Sequence, residues 1–253
     1  MSSVTFIPDE HCNEKEIKYI KEHFPQICTM NIQKVAIIGA GALGRIILDA
    51  FDAVNAIEPA YDVLGFIVDP EYGKPGTVIN ERPILGGYDW LASRQNEVTV
   101  ICAVGEPKHR LRLVERARDA GVKFCSIVHP GAMISRWATI CEGTYIGPGC
   151  VVLSQAYIGN HIVVGPNCVV AEDAIVNDYT LLTVGIRIAG ESIIGEGCYL
   201  GTGANVIDRI RVGDWSIVGA GATVVREVPV NTTVAGNPAR VIQKREEKWQ
   251  WEK

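Results

Sequence analysis

The chain has 253 residues, 47% of them hydrophobic, which is enough for two packed units and too apolar for a disordered one. Its 24 basic and 29 acidic residues leave a formal net charge of -5. That balance argues against nucleic acid or an anionic membrane surface as partner, because either calls for a concentrated basic surface. There is no signal-peptide core and no apolar run of bilayer length, so no membrane insertion is expected. The eight cysteines form no CxxC pair and read as reduced packing thiols of a cytoplasmic protein.

Residues 1–31 read as a helical N-terminal extension: Asn13 is placed to cap a helix whose Ile17, Ile20 and Phe24 form one apolar stripe, and Pro25 ends it. His11, Cys12, His23 and Cys28 match no zinc spacing, and no metal is expected. Residues 32–128 alternate strand and helix. The apolar run Lys34–Ile38 is a buried parallel strand, and it leads through Gly39-Ala40-Gly41-Ala42-Leu43-Gly44 into a helix carrying Ile47 and Phe51. Val63–Val68 and Val98–Val104 are further strands, a helix runs from about Pro107 to Ala120 with Gly121 at its C-cap, and Phe124–Val128 makes a fourth strand. The whole is a compact Rossmann-like α/β unit. Gly39-x-Gly41-x-x-Gly44 follows a strand and opens a helix, where backbone N–H groups and the helix dipole can hold a diphosphate. The unit is half the size of a full dinucleotide fold, which favours one nucleotide diphosphate over NAD. A glycine turn used only for close strand–helix packing is the alternative.

From Ile140 to Val230 every sixth residue is Ile, Leu or Val without a miss. A strict hexad fits neither a helix nor an isolated strand. It fits a left-handed parallel β-helix of hexapeptide repeats, in which three hexads make a triangular coil and the aliphatic residue points inward. Four residues after each aliphatic position the side chains are mostly small, as at Cys150, Ala156, Cys168, Ala174, Cys198 and Ala204, which lets the corners close. Glycine often follows the aliphatic residue, as at Gly165 and Gly213, and is read as supplying turn freedom. The β-helix is assigned to residues 129–240, and residues 241–253, with Trp249 and Trp251, to a helical tail. At about 4.8 Å per coil the rod is about 25 Å long with apolar-rich faces, and a homotrimer is expected.

The stretches Ile37-Ile38-Gly39-Ala40-Gly41, Leu64–Asp69, Pro83–Gly87, Ile127–Ala132, Gly201–Ala204, Val218–Ala222 and Gly236–Ala239 appear in an order that is specific as a set. Over residues 34–242 the chain resembles the sialic-acid O-acetyltransferase and bacillosamine-type UDP-sugar N-acetyltransferase family. The resemblance implies acetyl transfer from acetyl-CoA to a sugar, often nucleotide-linked, in a cleft between neighbouring prisms, for cell-surface glycan biosynthesis. By that likeness the nucleotide sugar meets Gly41, Ala42, Leu43 and Asp69. Acetyl-CoA lies near Gly190, Thr202 and Ala220, with Arg211, Arg226, Arg240 or Lys244 reaching its phosphates.

One departure bears on the chemistry. The family's general base is a histidine followed by Asp or Glu, and the corresponding residues here are Glu172-Asp173. A sugar hydroxyl needs a base matched to neutral pH, whereas an amine with some neutral population already has its lone pair. Glu172 with Asp173 therefore points to N-acylation, with O-acetylation as one alternative and a catalytically silent paralogue binding nucleotide sugar or CoA as another. An NAD-dependent reductase fused to a trimerising rod would rest on the glycine turn alone. His161, within the hexads, is read as a solvated corner or as a residue reaching a neighbour's Glu172 across a trimer. His129 is read as structural.

Overall fold

The structure, a computed structural model, describes residues 32–246. The expected N-terminal helix and the tryptophan-bearing end of the tail lie outside the described residues.

The α/β unit is built on β1 (Gln33–Ile38), whose Val35–Ile38 run is exposed by no more than 2%. β2 (Tyr61–Ile67) and β5 (Thr99–Cys102) flank it in parallel register. With β3 (Val78–Ile79), β4 (Arg82–Gly86) and β6 (Lys123–Phe124) the order is β3-β4-β2-β1-β5-β6. Helix α1 (Ala42–Asn55) buries Ile47, Leu48 and Phe51, and α3 (Pro107–Asp119) buries Leu113, Val114 and Ala117, as their apolar stripes require. Glu106 caps α3 by accepting from the Lys108 and His109 amides, with Pro107 as the first helical residue. The β3–β4 hairpin and the short α2 (Tyr88–Ala92) have too few residues to show a period.

The hexads wind as expected. Each contributes a two-residue strand that pairs in parallel with the strand eighteen residues on, as Tyr145–Ile146 does with Val163–Val164, and three such sheets close a prism. The aliphatic positions from Ile146 to Val224 are exposed by no more than 2% and form one core. The ladder begins earlier than the sequence count, at Val128 and Ile134, and ends earlier. Val230 is 58% exposed, because Val228 takes the inward place beside Val212.

The glycines after the aliphatic residues do not serve the turn. Left-handed backbone falls three residues after each aliphatic position, at Asn167 (φ 58), Asp173 (φ 57), Tyr179 (φ 58) and Trp215 (φ 55) among others. Such a conformation costs a non-glycine residue roughly 1–2 kcal/mol. It is offset by a recurring bond in which that residue's N–H donates to the coil before, for example Asn167 to the Pro148 oxygen at 2.9 Å and Trp215 to the Glu196 oxygen at 2.7 Å. Gly165 and Gly213 are glycine because the next coil passes too close: a Cβ at Gly213 would lie 2.5 Å from the Val230 nitrogen, and one at Gly165 would strike the Thr183 carbonyl. The small corner residues also bind rather than merely fit. Thr144 and Thr180 donate to the Gly159 and Gly195 oxygens at 2.9 and 2.8 Å, and the Cys150 thiol reaches the Gly165 oxygen at 3.0 Å.

The run expected as a fourth α/β strand is divided between the two units. Lys123–Phe124 pairs with β5, whereas β7 (Ile127–Val128) pairs with Tyr145–Ile146 in the prism. Between them Ser126 accepts from the Thr144 amide and donates to the Cys141 oxygen, fixing the crossover. Ile127, Tyr145, Val163 and Leu181 on one prism face pack into the same apolar cluster as Ile47, Phe51 and Phe66. At the other end, residues 240–244 form a strand antiparallel to Thr232–Ala235. The tail therefore opens on a hairpin and not on a helix.

Candidate functional site

The C-terminal ends of β1, β2 and β5 enclose a cavity of about 340 Å³ lined by Gly39, Gly41, Asp69, Tyr88, Val104 and His109 among others. This is where open α/β sheets bind ligands. The three glycines of the motif do three different things. Gly39 (φ +102) makes the turn. Gly44 lies where a Cβ would strike the Gly39 carbonyl, so it allows α1 to pack. A Cβ on Gly41 would meet nothing within 4 Å, and its absence leaves open space at the N-cap of α1. Neither an acidic side chain nor a side-chain cap occupies that first turn. The arrangement suits an anion approaching backbone amides.

Of the expected pocket residues, Gly41 and Asp69 line the cavity. Ala42 and Leu43 open α1 behind it, with Leu43 packed against the core. Asp69 already has a partner: Arg116 donates to both carboxylate oxygens at 2.8 Å. That pairing holds the Asp69 carboxyl below the usual carboxylate range, with partial burial opposing it. The Arg116 guanidinium also lies 4.0 Å from the Tyr88 ring centroid. Sequence reasoning missed His109, Tyr88 and Arg116. The available signal was Glu106-Pro107, which starts α3 directly after β5 and so delivers His109 to the crevice.

The remaining expected residues lie at two corners of the prism. Glu172 and Asp173 share one with Gly190: a Cβ on Gly190 would stand 2.9 Å from Glu172 Oε1, and the Glu191 amide donates to the Glu172 oxygen at 3.0 Å. Both carboxylates are exposed, so the prism by itself does not desolvate them. Thr202 and Ala220 stack at another corner, where the Gly221 amide donates to the Thr202 oxygen at 2.8 Å. Arg211 and Arg226 are exposed on the last coils, and Arg240 and Lys244 on the hairpin strand that follows them.

His161 is not a solvated corner. Its side chain is fully buried between Phe124, edge-on at 4.6 Å, and Tyr179, stacked at 5.4 Å. Arg118 lies 3.0 Å from Nε2. An arginine only donates, so Nε2 accepts and the proton sits on Nδ1, which finds no partner. Burial first, then Arg118 and Arg110, push the imidazole down to about 3. Covered by the α/β unit, it has no path to a neighbour's Glu172. His129 accepts from the Gly131 amide at 3.0 Å through Nδ1 and shapes the turn into the prism.

Among the described residues no cluster of three or more His, Cys, Asp or Glu could hold a metal, and no helix is long and apolar enough to cross a membrane. The PglD N-terminal domain profile matches residues 34–117, and the bacterial transferase hexapeptide profile matches residues 191–226. The UDP-N-acetylbacillosamine N-acetyltransferase of Bacillus subtilis (strain 168) is 32% identical over 125 residues, 46% of this chain and 51% of the relative. The match thus spans about half the length of that curated relative. The acetyltransferase domain of PglB from Neisseria gonorrhoeae FA1090, in complex with acetyl coenzyme A, superposes with TM-score 0.77 at 29% identity, covering 83% of this chain and all of that one. A histidine-to-asparagine variant of perosamine N-acetyltransferase from Caulobacter crescentus, bound to CoA and GDP-perosamine, gives 0.76 at 26%, covering 84% and 98%.

Proposed function

We propose that this chain, a member of the bacillosamine-type hexapeptide acetyltransferase family, transfers an acetyl group from acetyl-CoA to an amine on a nucleotide-linked sugar. The observation that carries the nucleotide half is the open space over Gly41 at the bare N-terminus of α1. The related structures support the donor half, since they hold acetyl coenzyme A or CoA with GDP-perosamine. The diphosphate would rest on the Gly41, Ala42 and Leu43 amides. The Asp69–Arg116 pair would offer a hydrogen-bonding wall to the nucleoside.

In the reaction the amine nitrogen attacks the thioester carbonyl carbon; the N–C bond forms, the C–S bond breaks, and CoA leaves as thiolate. Glu172 takes the proton from the attacking nitrogen, and that proton ends on the thiol. Gly190 beside it has no side chain, so the thioester can approach the corner, with a backbone amide polarising its oxygen. Thr202 and Ala220 line the pantetheine path. Since the corner shared by Glu172 and Gly190 is separate from the nucleotide cavity in one chain, the working site is read as a seam completed by a neighbouring prism. Exposed Met133, Trp137 and Tyr157 on the prism would be covered in a homotrimer. A clean monomer by light scattering at micromolar concentration would contradict this. The donor and the unpaired described cysteines suit the cytoplasm.

The test is thiol release from acetyl-CoA in the presence of a panel of nucleotide-linked amino sugars. Release that depends on the sugar is expected, and none from any acceptor would leave only a binding protein. Glu172→Ala is expected to lower kcat by about 10²–10⁴-fold, and an unchanged rate removes Glu172 from the mechanism.

A further inference from the structure

Arg110 is fully buried, yet no carboxylate faces its guanidinium among its hydrogen-bond partners. All of those partners are main-chain carbonyls. Nη1 donates to the Val104 and Gly105 oxygens at 2.6 and 2.8 Å, at the end of β5. Nε donates to the His161 oxygen at 2.9 Å, and Nη2 to the Tyr179 and Thr180 oxygens at 2.6 and 3.2 Å, on two successive coils of the prism. A guanidinium has five N–H donors, and each has an acceptor. Burial lowers its pKa only to about 10, so the cation persists at neutral pH.

The two groups of acceptors belong to different units. Val104 is part of the nucleotide cavity wall, and His109 and Leu113 of that wall flank Arg110 on α3. His161, Tyr179 and Thr180 belong to the corner on which the α/β unit sits, and His161 and Tyr179 hold left-handed backbone there. A clamp that joins the cavity wall to the coils fixes the distance from the nucleotide to the prism. Acetyl transfer depends steeply on that distance, since a misplacement of about 1 Å can cost on the order of 10²-fold in rate.

We infer that Arg110 is a positioning residue for acetyl transfer, holding the nucleotide cavity in register with the prism through five main-chain carbonyls. This rests on the transfer function proposed above. Arg110→Met removes all five donors, and Arg110→Lys keeps the charge with three donors in a different geometry. For Arg110→Met, kcat is expected to fall at least about tenfold while KM for acetyl-CoA and for the nucleotide sugar stays within about twofold, with Arg110→Lys falling between. Hydrogen exchange of the same proteins is expected to rise at residues 104–113 and 159–180 while the coils beyond residue 190 keep their protection. An unchanged kcat in both variants overturns the inference, and so does protection lost evenly along the chain, which would mark a residue needed only for folding. Should Arg110→Met fail to fold, Arg110→Lys carries both readouts. A wild-type protein inactive on every acceptor would overturn the function reading alone, because localised exchange would still report the clamp.

Discussion

The prism and the α/β unit solve the same problem, burying aliphatic side chains around parallel strands, by opposite means. In the prism a residue's place follows from its number: Leu182 is buried and Leu181 faces outward because one belongs to the hexad ladder and the other precedes it. In the α/β unit no such rule holds, and three glycines within six residues serve as a turn, a gap and a packing contact. Periodicity thus reveals architecture where one local interaction is repeated. It says little where each residue has a separate task, which is where a ligand site is built.

The sharpest way to break the periodic half is Leu182→Asp. Leu182 is wholly enclosed by the coils before and after it, so the carboxylate would have no partner and no water. An unpaired buried charge costs several kcal/mol, against a total stability of about 5–15 kcal/mol. The expected outcome is loss of the soluble folded protein; a thermal transition within a few degrees of wild type would show that the ladder does not line a closed prism.

The junction gives the next largest effect, as a pH dependence. His161 is neutral in the folded chain down to about 3, whereas an unfolded histidine takes a proton near 6.5. Between those values the unfolded state binds more protons, so the folded state loses stability as pH falls through that window and loses nothing above it. The slope is about 1.4 kcal/mol per pH unit. His161→Asn keeps a residue that accepts left-handed backbone (φ 53) and removes the titration. From pH 7.5 to 4.5, wild type is expected to lose about 2–3 kcal/mol more than the variant in urea denaturation. Parallel curves would mean that water reaches the ring and that the α/β unit is not seated on the prism there.

What could be read from the sequence follows the same division. The prism, its inward residues from Ile146 to Val224 and the strand–glycine–helix opening were legible because each rests on a local pattern. The split of residues 123–128 between two sheets was not, because Phe124 and Ile127 differ in partner and not in chemistry. His161 looked like any polar corner residue, since nothing nearby in sequence announces Phe124 above it or Arg118 beside it. The roles of the corner glycines were misjudged for a related reason. Turn freedom is a local property that a sequence suggests, whereas the approach of the next coil at Gly165 comes from eighteen residues away. At the cavity, Gly41 was placed by its glycine turn between strand and helix and Asp69 by the family resemblance, whereas nothing in the sequence pointed to Arg116, which holds Asp69 in place.

The finest comparison sets two glycines of one motif against each other. A Cβ on Gly44 would strike the Gly39 carbonyl, a backbone atom that cannot step aside, so Gly44→Ala is expected to cost about 1–3 kcal/mol. A Cβ on Gly41 meets nothing, and its φ of -72 suits any residue, so Gly41→Ala should leave stability within about 0.5 kcal/mol. If the space above Gly41 belongs to a diphosphate, that same methyl group should weaken UDP or GDP binding by calorimetry about tenfold, or roughly 1.4 kcal/mol. Equal affinity in wild type and Gly41→Ala would mean that the nucleotide lies elsewhere in the cavity and that this glycine serves only to begin the helix.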